Sequence, residues 1–129
     1  MQHPLLYFTA KPVLLGDSRV AGRIAAALYR RHGITCRWLG QGSSIGLHVY
    51  ARRHPLNLPP DLRGERLYLR RLLDLAKEEL PGGIPCIIPC SPDAEAFLER
   101  FREALEEHFT LLPRPRGEAD PLYPLIRNP

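Results

Sequence analysis

The stretch Val13–Gly33, VLLGDSRVAGRIAAALYRRHG, is the strongest indication of fold class in this chain. Its first three residues are apolar and suit a short strand that is buried on both faces. Asp17 or Ser18 is a good N-cap for the amphipathic helix that follows, and Gly33 is a good terminator after the basic last turn. The stretch therefore predicts a strand, a tight turn and a helix.

The residues that follow repeat this alternation. Ile34–Leu39 is rich in β-formers and predicts a second strand, parallel to the first and joined to it by a right-handed crossover. An amphipathic helix is predicted from Glu65 onward, and Ile84–Pro89 is a third apolar run. Ser91 then caps a further helix, which has Pro92 at its first position.

The last third of the chain completes the pattern. The predicted inner face of the helix after Ser91 contains Phe97, Leu98, Phe101, Leu105 and His108. Thr110–Leu112 is the last predicted strand, and Val49–Ala51 is a candidate short strand inside the proline-broken segment 45–64. We therefore predict an α/β fold: a three-layer sandwich with a short, mainly parallel sheet of four to five strands flanked by helices, as in Rossmann-like domains. We expect residues 1–115 to form a single domain and residues 116–129 to form a proline-rich C-terminal tail.

Composition narrows the classes of function. The chain has 129 residues, 44% of them hydrophobic and 25% charged, which is typical of one globular domain. No run approaches the roughly 20 apolar residues of a membrane span, and the N-terminus has no features of a signal peptide. We expect a cytoplasmic protein with no membrane partner. The net charge is +4, but basic pairs such as Arg30-Arg31 and Arg70-Arg71 are interleaved with acids along predicted helices, so we expect no nucleic-acid partner.

The cysteines and histidines do not form a recognisable metal or redox motif. Cys86 and Cys90 would lie about 13 Å apart on an extended strand, and a disulfide needs Cα atoms within about 7 Å. An odd count of three cysteines argues against a disulfide framework, and we expect Cys36 and Cys86 to be small buried hydrophobic residues. The five histidines have no metal-ligand spacing. The sequence therefore predicts no metal site.

Polar residues follow three of the predicted strands. Ligands of parallel sheets bind beyond the carboxyl ends of the strands, where the strand order reverses. Two helix N-termini would face this crevice, and such termini attract a carboxylate or phosphate. The candidate substrate- or anion-binding residues are Gly16, Asp17, Ser18, Gln41, Ser43, Cys90 and Ser91.

The same residues have a second interpretation, in which they only cap helices and turn the chain. GDSRVAG lacks both the dinucleotide-binding glycine pattern and the Lys-Ser/Thr of a P-loop, and Asp17 would repel a phosphate. A Cys90 or Ser91 nucleophile would need a base supplied by the fold. We therefore predict no catalytic residue in this chain.

Two segments together resemble a known family. VLLGDSRVAGRIAAALYRRHGITC and LLDLAKEELPGGIPCIIPCSPDAEAFLERFREALEEHFTLLPRP are similar, in pattern and order, to the N-terminal (pre-ATP-grasp) domain of ATP-grasp carboxylate–amine ligases, especially the D-aspartate ligase-like group. The similarity covers residues 12–115. In that family a strand ends in a Gly-Asp-like turn, and a later strand ends in a small polar turn before an acidic helix.

The resemblance implies a non-catalytic domain that contributes a substrate-side or partner-packing surface to an ATP-dependent ligase. ATP and Mg²⁺ are implied for the parent family only, because the ATP-grasp and lid portions that bind them are not among these 129 residues. We expect no cofactor in the isolated chain and an ATP-grasp catalytic domain or subunit as its partner. The alternative is a free-standing α/β binding or assembly module that uses its proline-rich tail for self-association, as in a homodimer, or for partner docking.

Overall fold

The computed structural model describes residues 10–40, 50–54, 62–78 and 82–115. Within these residues five strands form one sheet, and every neighbouring pair of strands is parallel. The strands are β1 (Ala10–Leu15), β2 (Cys36–Leu39), β3 (Ala51–His54), β4 (Ile84–Pro89) and β5 (Thr110–Leu111). Their spatial order is β3-β2-β1-β4-β5. The predicted parallel sheet of four to five strands is confirmed.

Four described helices cover the two faces of this sheet: α1 (Ser18–His32), α2 (Leu62–Glu78), α3 (Pro92–Arg100) and α4 (Arg102–Glu106). Helix α1 packs on the face that contains Leu14 of β1. Helices α2, α3 and α4 pack on the other face, which contains Val13 and Leu15. Successive strand residues point to opposite faces, so the apolar run of β1 belongs to two cores at once. This arrangement is the predicted three-layer sandwich.

The strand order places a switch point between β1 and β4. The chain leaves β1 through α1 toward β2 on one side, and it leaves β4 through α3 toward β5 on the other side. Because the direction and the covered face are both reversed, the two crossovers have the same hand. The carboxyl ends of β1 and β4 therefore meet where the two helices diverge, which is the usual ligand position in open parallel sheets.

Several predicted boundaries differ from the structure. Strand β2 begins at Cys36 rather than Ile34, and α2 begins at Leu62, three residues before the predicted start at Glu65. Strand β3 overlaps the candidate Val49–Ala51 only at Ala51, and its sequence, ARRH, is largely basic. The described sheet places β3 at an edge beside β2, so pairing with β2 defines this strand, and no apolar alternation marks it in the sequence.

The helix predicted after Ser91 is interrupted. Phe101 has φ −113° and ψ 24°, so the segment is divided into α3 and α4. Helix α4 ends at Glu106, and the prediction that His108 lies on the inner face is wrong because His108 is exposed. Phe109 is buried near that position instead, 4% exposed. The remaining inner positions are confirmed: Phe97, Leu98 and Leu105 are buried and Phe101 packs against the same core.

An ion pair between a buried glutamate and a half-exposed arginine joins α2 to α3. Glu65 is 7% exposed, and its carboxylate accepts two hydrogen bonds from the Arg100 guanidinium, one of them 3.0 Å from Nε to Oε1. A planar guanidinium matches a carboxylate in this two-bond geometry.

None of the described helices combines the length and the apolar character that crossing a membrane requires.

Tyr68 makes a second buried polar contact between layers. Its hydroxyl donates to the Leu39 carbonyl over 3.1 Å, and its ring meets Phe97 edge-on at 5.0 Å between centroids.

We predict that Tyr68→Phe lowers the free energy of unfolding by about 1–2 kcal/mol, because the carbonyl loses its buried donor. Urea denaturation followed by Trp38 fluorescence measures this loss. Tyr29→Phe is the control, since Tyr29 is 46% exposed; an equal loss in both variants would contradict the assignment.

Candidate functional site

The switch point is built from the residues that follow β1 and β4. Gly16 has φ +106°, a conformation that favours glycine, and a Cβ at this position would lie 2.5 Å from Ser91 Oγ. The Cys90 backbone N–H donates to the Leu15 carbonyl over 2.7 Å. The turn after β1 therefore touches the turn after β4 directly. These contacts close the crevice between the two strand ends at this level.

Both helix N-termini at this edge are capped by side chains of the chain itself. The Asp17 carboxylate accepts hydrogen bonds from the N–H groups of Arg19, over 2.8 Å, and Val20, over 3.1 Å. At α3, Ser91 Oγ accepts a hydrogen bond from the Ala94 N–H over 3.2 Å. Of the two predicted caps for α1, Asp17 fills the role and Ser18 does not. The N–H groups that would attract an anion are thus partly occupied.

Trp38 joins this edge from β2, which the sequence analysis did not predict. Its indole Nε1 donates to the Gly16 carbonyl over 3.2 Å, and a Cβ at Gly40 would lie 2.8 Å from the indole ring. Trp38 is the single tryptophan of the chain and stands two residues before the glycine-rich segment GQGSS. Its side chain is 1% exposed. The indole therefore links the end of β2 to the turn after β1, and its fluorescence can be used to follow changes at this edge.

The structure brings five of the seven candidate residues together. Gly16 and Ser91 are in contact, Cys90 is bonded to the strand before Gly16, and Asp17 and Ser18 begin α1 beside them. Asp17 is exposed, Ser18 and Ser91 are half-buried, and Cys90 is 2% exposed. The other two candidates, Gln41 and Ser43, lie outside the described residues.

Cys90 is a buried thiol. Its pKa is raised to about 12, mainly by burial; a backbone hydrogen bond at Leu15 lowers the pKa, and the negative charge of Asp17 adds to the increase. Its Sγ donates to the Ile88 carbonyl over 3.6 Å. A reactive cysteine needs a lowered pKa and some exposure, so Cys90 has the character of a structural residue at neutral pH.

The other two cysteines pack in the same core as Cys90. All three are free thiols, and the expectation that Cys36 and Cys86 are buried is confirmed. Burial raises the pKa of Cys86 to about 12 and also raises that of Cys36. Within the described residues, no group of three histidine, cysteine or acidic side chains is arranged to hold a metal ion.

A cavity of about 190 Å³ opens at the opposite edge of the sheet, where the strands begin. Its lining includes Lys11 and Arg37, together with Gly33 and Thr35 from the connection between α1 and β2. No sequence signal singled out this position. The cavity is separated from the switch point by the length of β1, so it does not belong to the predicted site.

The order of the strands and the polar turns at their carboxyl ends define a Rossmann-like α/β domain. Comparison with known proteins adds no relative to this description, since no family model, no curated protein and no solved structure matches the chain. The similarity to the pre-ATP-grasp domain stays a prediction.

The first prediction from the site concerns the α1 cap. Asp17→Ala should lower the free energy of unfolding by about 1 kcal/mol, because two helix N–H groups lose their acceptor. Asp17→Asn should retain most of this stability, since asparagine is an equally good cap. Ser18→Ala should change stability by less than about 0.5 kcal/mol. Urea denaturation of the three variants decides between Asp17 and Ser18, and a larger loss for Ser18→Ala would contradict the cap assignment.

The second prediction concerns the thiols. All three should be unreactive toward a thiol reagent in the folded protein and should react in denaturant without added reductant. Unfolded thiols ionise near their usual pKa of 9.0, whereas folding raises that of Cys90 to about 12. The contribution of these thiols to the free energy of unfolding is therefore fully present below pH 9. It is lost as the pH rises from 9 toward 12, because in this range only the unfolded state releases the thiol protons. Urea midpoints across this range should decline less steeply in Cys90→Ala; an equal slope would contradict the assignment.

Proposed function

We propose that this chain is a non-catalytic module of the pre-ATP-grasp type. In this proposal it contributes one wall of a substrate pocket, or a packing surface, to a cytoplasmic ATP-dependent carboxylate–amine ligase. The supporting observation is the switch point itself, where Gly16 touches Ser91 and both helix N-termini are capped by the chain's own side chains. Among the described residues, direct contacts form this edge, and they leave no open cradle for a phosphate between Gly16 and Ser91.

The electrostatics of the edge favour the same role. Each helix N-terminus contributes about 0.3–1 kcal/mol toward binding an anion, and the exposed Asp17 carboxylate opposes this field. A small ligand therefore gains little from this edge alone. Binding becomes favourable when a facing surface excludes water and supplies opposite charge, since electrostatic interactions strengthen in a less polar environment.

The two candidate nucleophiles support a binding role rather than a catalytic one. The Cys90 thiol is buried and its pKa is raised, and the Ser91 hydroxyl accepts a hydrogen bond from its own helix. Phosphoryl transfer depends on clamped phosphates and a metal ion. In the proposed assembly the ATP-grasp partner supplies those groups, and this chain positions or encloses the acceptor substrate.

Titration of the purified chain tests the binding half of this proposal. Trp38 fluorescence can follow binding at this edge, since the indole donates a hydrogen bond to the Gly16 carbonyl. We expect only weak responses to ATP, aspartate and phosphate. Asp17→Asn retains the cap and removes the opposing charge, so its affinity for phosphate and aspartate should rise several-fold. Equal responses in the two proteins would contradict an anion-binding role for this edge.

A second experiment tests the link to ligases. The chain alone should release no ADP from MgATP, and it should raise the activity of the ATP-grasp polypeptide encoded beside it or fused to it. Magnesium-dependent ADP release by the isolated chain, lost in Asp17→Ala, would show that the chain is itself an enzyme. The absence of any associated ATP-grasp polypeptide would instead favour the free-standing module. The tail that this alternative uses, residues 116–129, lies outside the described residues.

A further inference from the structure

The charged residues on the outer face of α1 are all basic. Arg19, Arg23 and Arg30 are exposed and lie within about 40° of one another around the helix axis, along about 16 Å of its length. We call these three residues the arginine stripe. They stand opposite the side chains that α1 buries, and the helix contains no acidic residue. Within the described part of the chain, the ion pairs do not include these three arginines.

Helix α2 shows that this composition is not general in the chain. Its exposed basic residues Arg66, Arg70 and Lys77 have the same spacing as the arginine stripe. Asp74 and Glu78 lie in the same helix, however, so α2 has the interleaved basic and acidic residues that were predicted for the helices with arginine pairs. That expectation is wrong for α1.

In the opposite outer layer of the sandwich, α3 and α4 are rich in exposed acidic residues, whereas α2 in the same layer has the exposed basic residues just described. We call the exposed carboxylates of α3, α4 and the residue after α4 the acidic surface; its members are Asp93, Glu99, Glu103, Glu106 and Glu107. Arg102 is the arginine among them and bonds to both Glu99 and Glu106. The guanidinium of Arg100 donates to the buried Glu65 carboxylate and so does not neutralise this surface. The acidic surface therefore keeps an excess of negative charge.

These two surfaces lie on opposite faces of the sheet, since α1 covers one face and α3 and α4 cover the other. The arginine stripe of one molecule therefore cannot contact the acidic surface of the same molecule. A second copy can, and the contact it makes joins two different surfaces. Repetition of such a contact produces an open chain of molecules or a ring.

We propose that the arginine stripe of α1 binds the acidic surface of a second copy of this chain. The contact is electrostatic, so it is weakened by salt. The net charge of +4 makes the copies repel one another overall. Added salt therefore weakens an association through the two charged surfaces, because it screens their attraction. It strengthens a purely apolar association, because it screens the overall repulsion. The response to salt distinguishes the two.

Sedimentation velocity of the full chain tests the proposal. At about 0.01 M ionic strength, where the screening length is about 30 Å, the average mass should rise with protein concentration. At about 1 M, where it is about 3 Å, the mass should return to the monomer value of 14.7 kDa. A protein that is monomeric at every concentration in low salt, or whose association strengthens with salt, would overturn the proposal.

Charge exchange identifies the surfaces. Arg19→Glu/Arg23→Glu/Arg30→Glu and Glu99→Lys/Glu103→Lys/Glu107→Lys should each be monomeric at low salt, because each then has two surfaces of the same sign. Mixed together, the two variants should associate again, since each restores the complement of the other. Failure of the mixture to associate, while circular dichroism shows both variants folded, would overturn the proposal.

Arg66→Glu/Arg70→Glu/Lys77→Glu is the matched control, with the same charge change at the same spacing on α2. It should associate as the unmodified chain does. A nucleic acid is the competing partner of a basic helix face, so a labelled DNA duplex is titrated in parallel. If the chain stays monomeric and binds the duplex, and the α1 variant alone loses that binding, the proposal is overturned in favour of a nucleic-acid surface.

Discussion

Burial of β1 on both faces is the constraint on which the remaining structure depends. Val13, Leu14 and Leu15 are each 0% exposed, and they alternate between the core under α1 and the core under α2 and α3. A strand that must be covered on both faces needs helices on both sides and strands on both edges. The three layers follow from this requirement, and so does the divergence of the chain from the ends of β1 and β4.

The same constraint explains why the switch point is closed. β1 and β4 stay paired along their whole length, and the Cys90 N–H extends the ladder by one residue beyond them. The turns that follow are thereby held in contact, and the absence of a side chain at Gly16 allows Ser91 to approach. The side chains at this edge satisfy the helix termini of their own domain. In the proposed assembly this edge acts as a supporting surface, and a partner supplies the second surface of the pocket.

Much of the candidate site follows from local pattern. A glycine and an acidic residue after an apolar run, and Ser-Pro-Asp after another, indicate turns with capped helices, and both caps are present in the structure. Trp38 was missed because its role depends on which strand lies beside β1, and no local pattern encodes that neighbour. The basic strand β3 was misplaced for the same reason, since pairing with β2 alone makes it a strand.

The local sequence is sufficient for the α/β class, the helix α1 with its cap and terminator, and the burial of Cys36 and Cys86, because each depends on residues close together in the chain. The tertiary structure alone reveals the strand order, the placement of the arginine stripe and the acidic surface on opposite faces of the sheet, and the contact of Gly16 with Ser91. These features depend on which elements become neighbours. Segments that each satisfy a local pattern can be assembled in several orders, and the choice among them depends on packing between elements that are distant in the sequence.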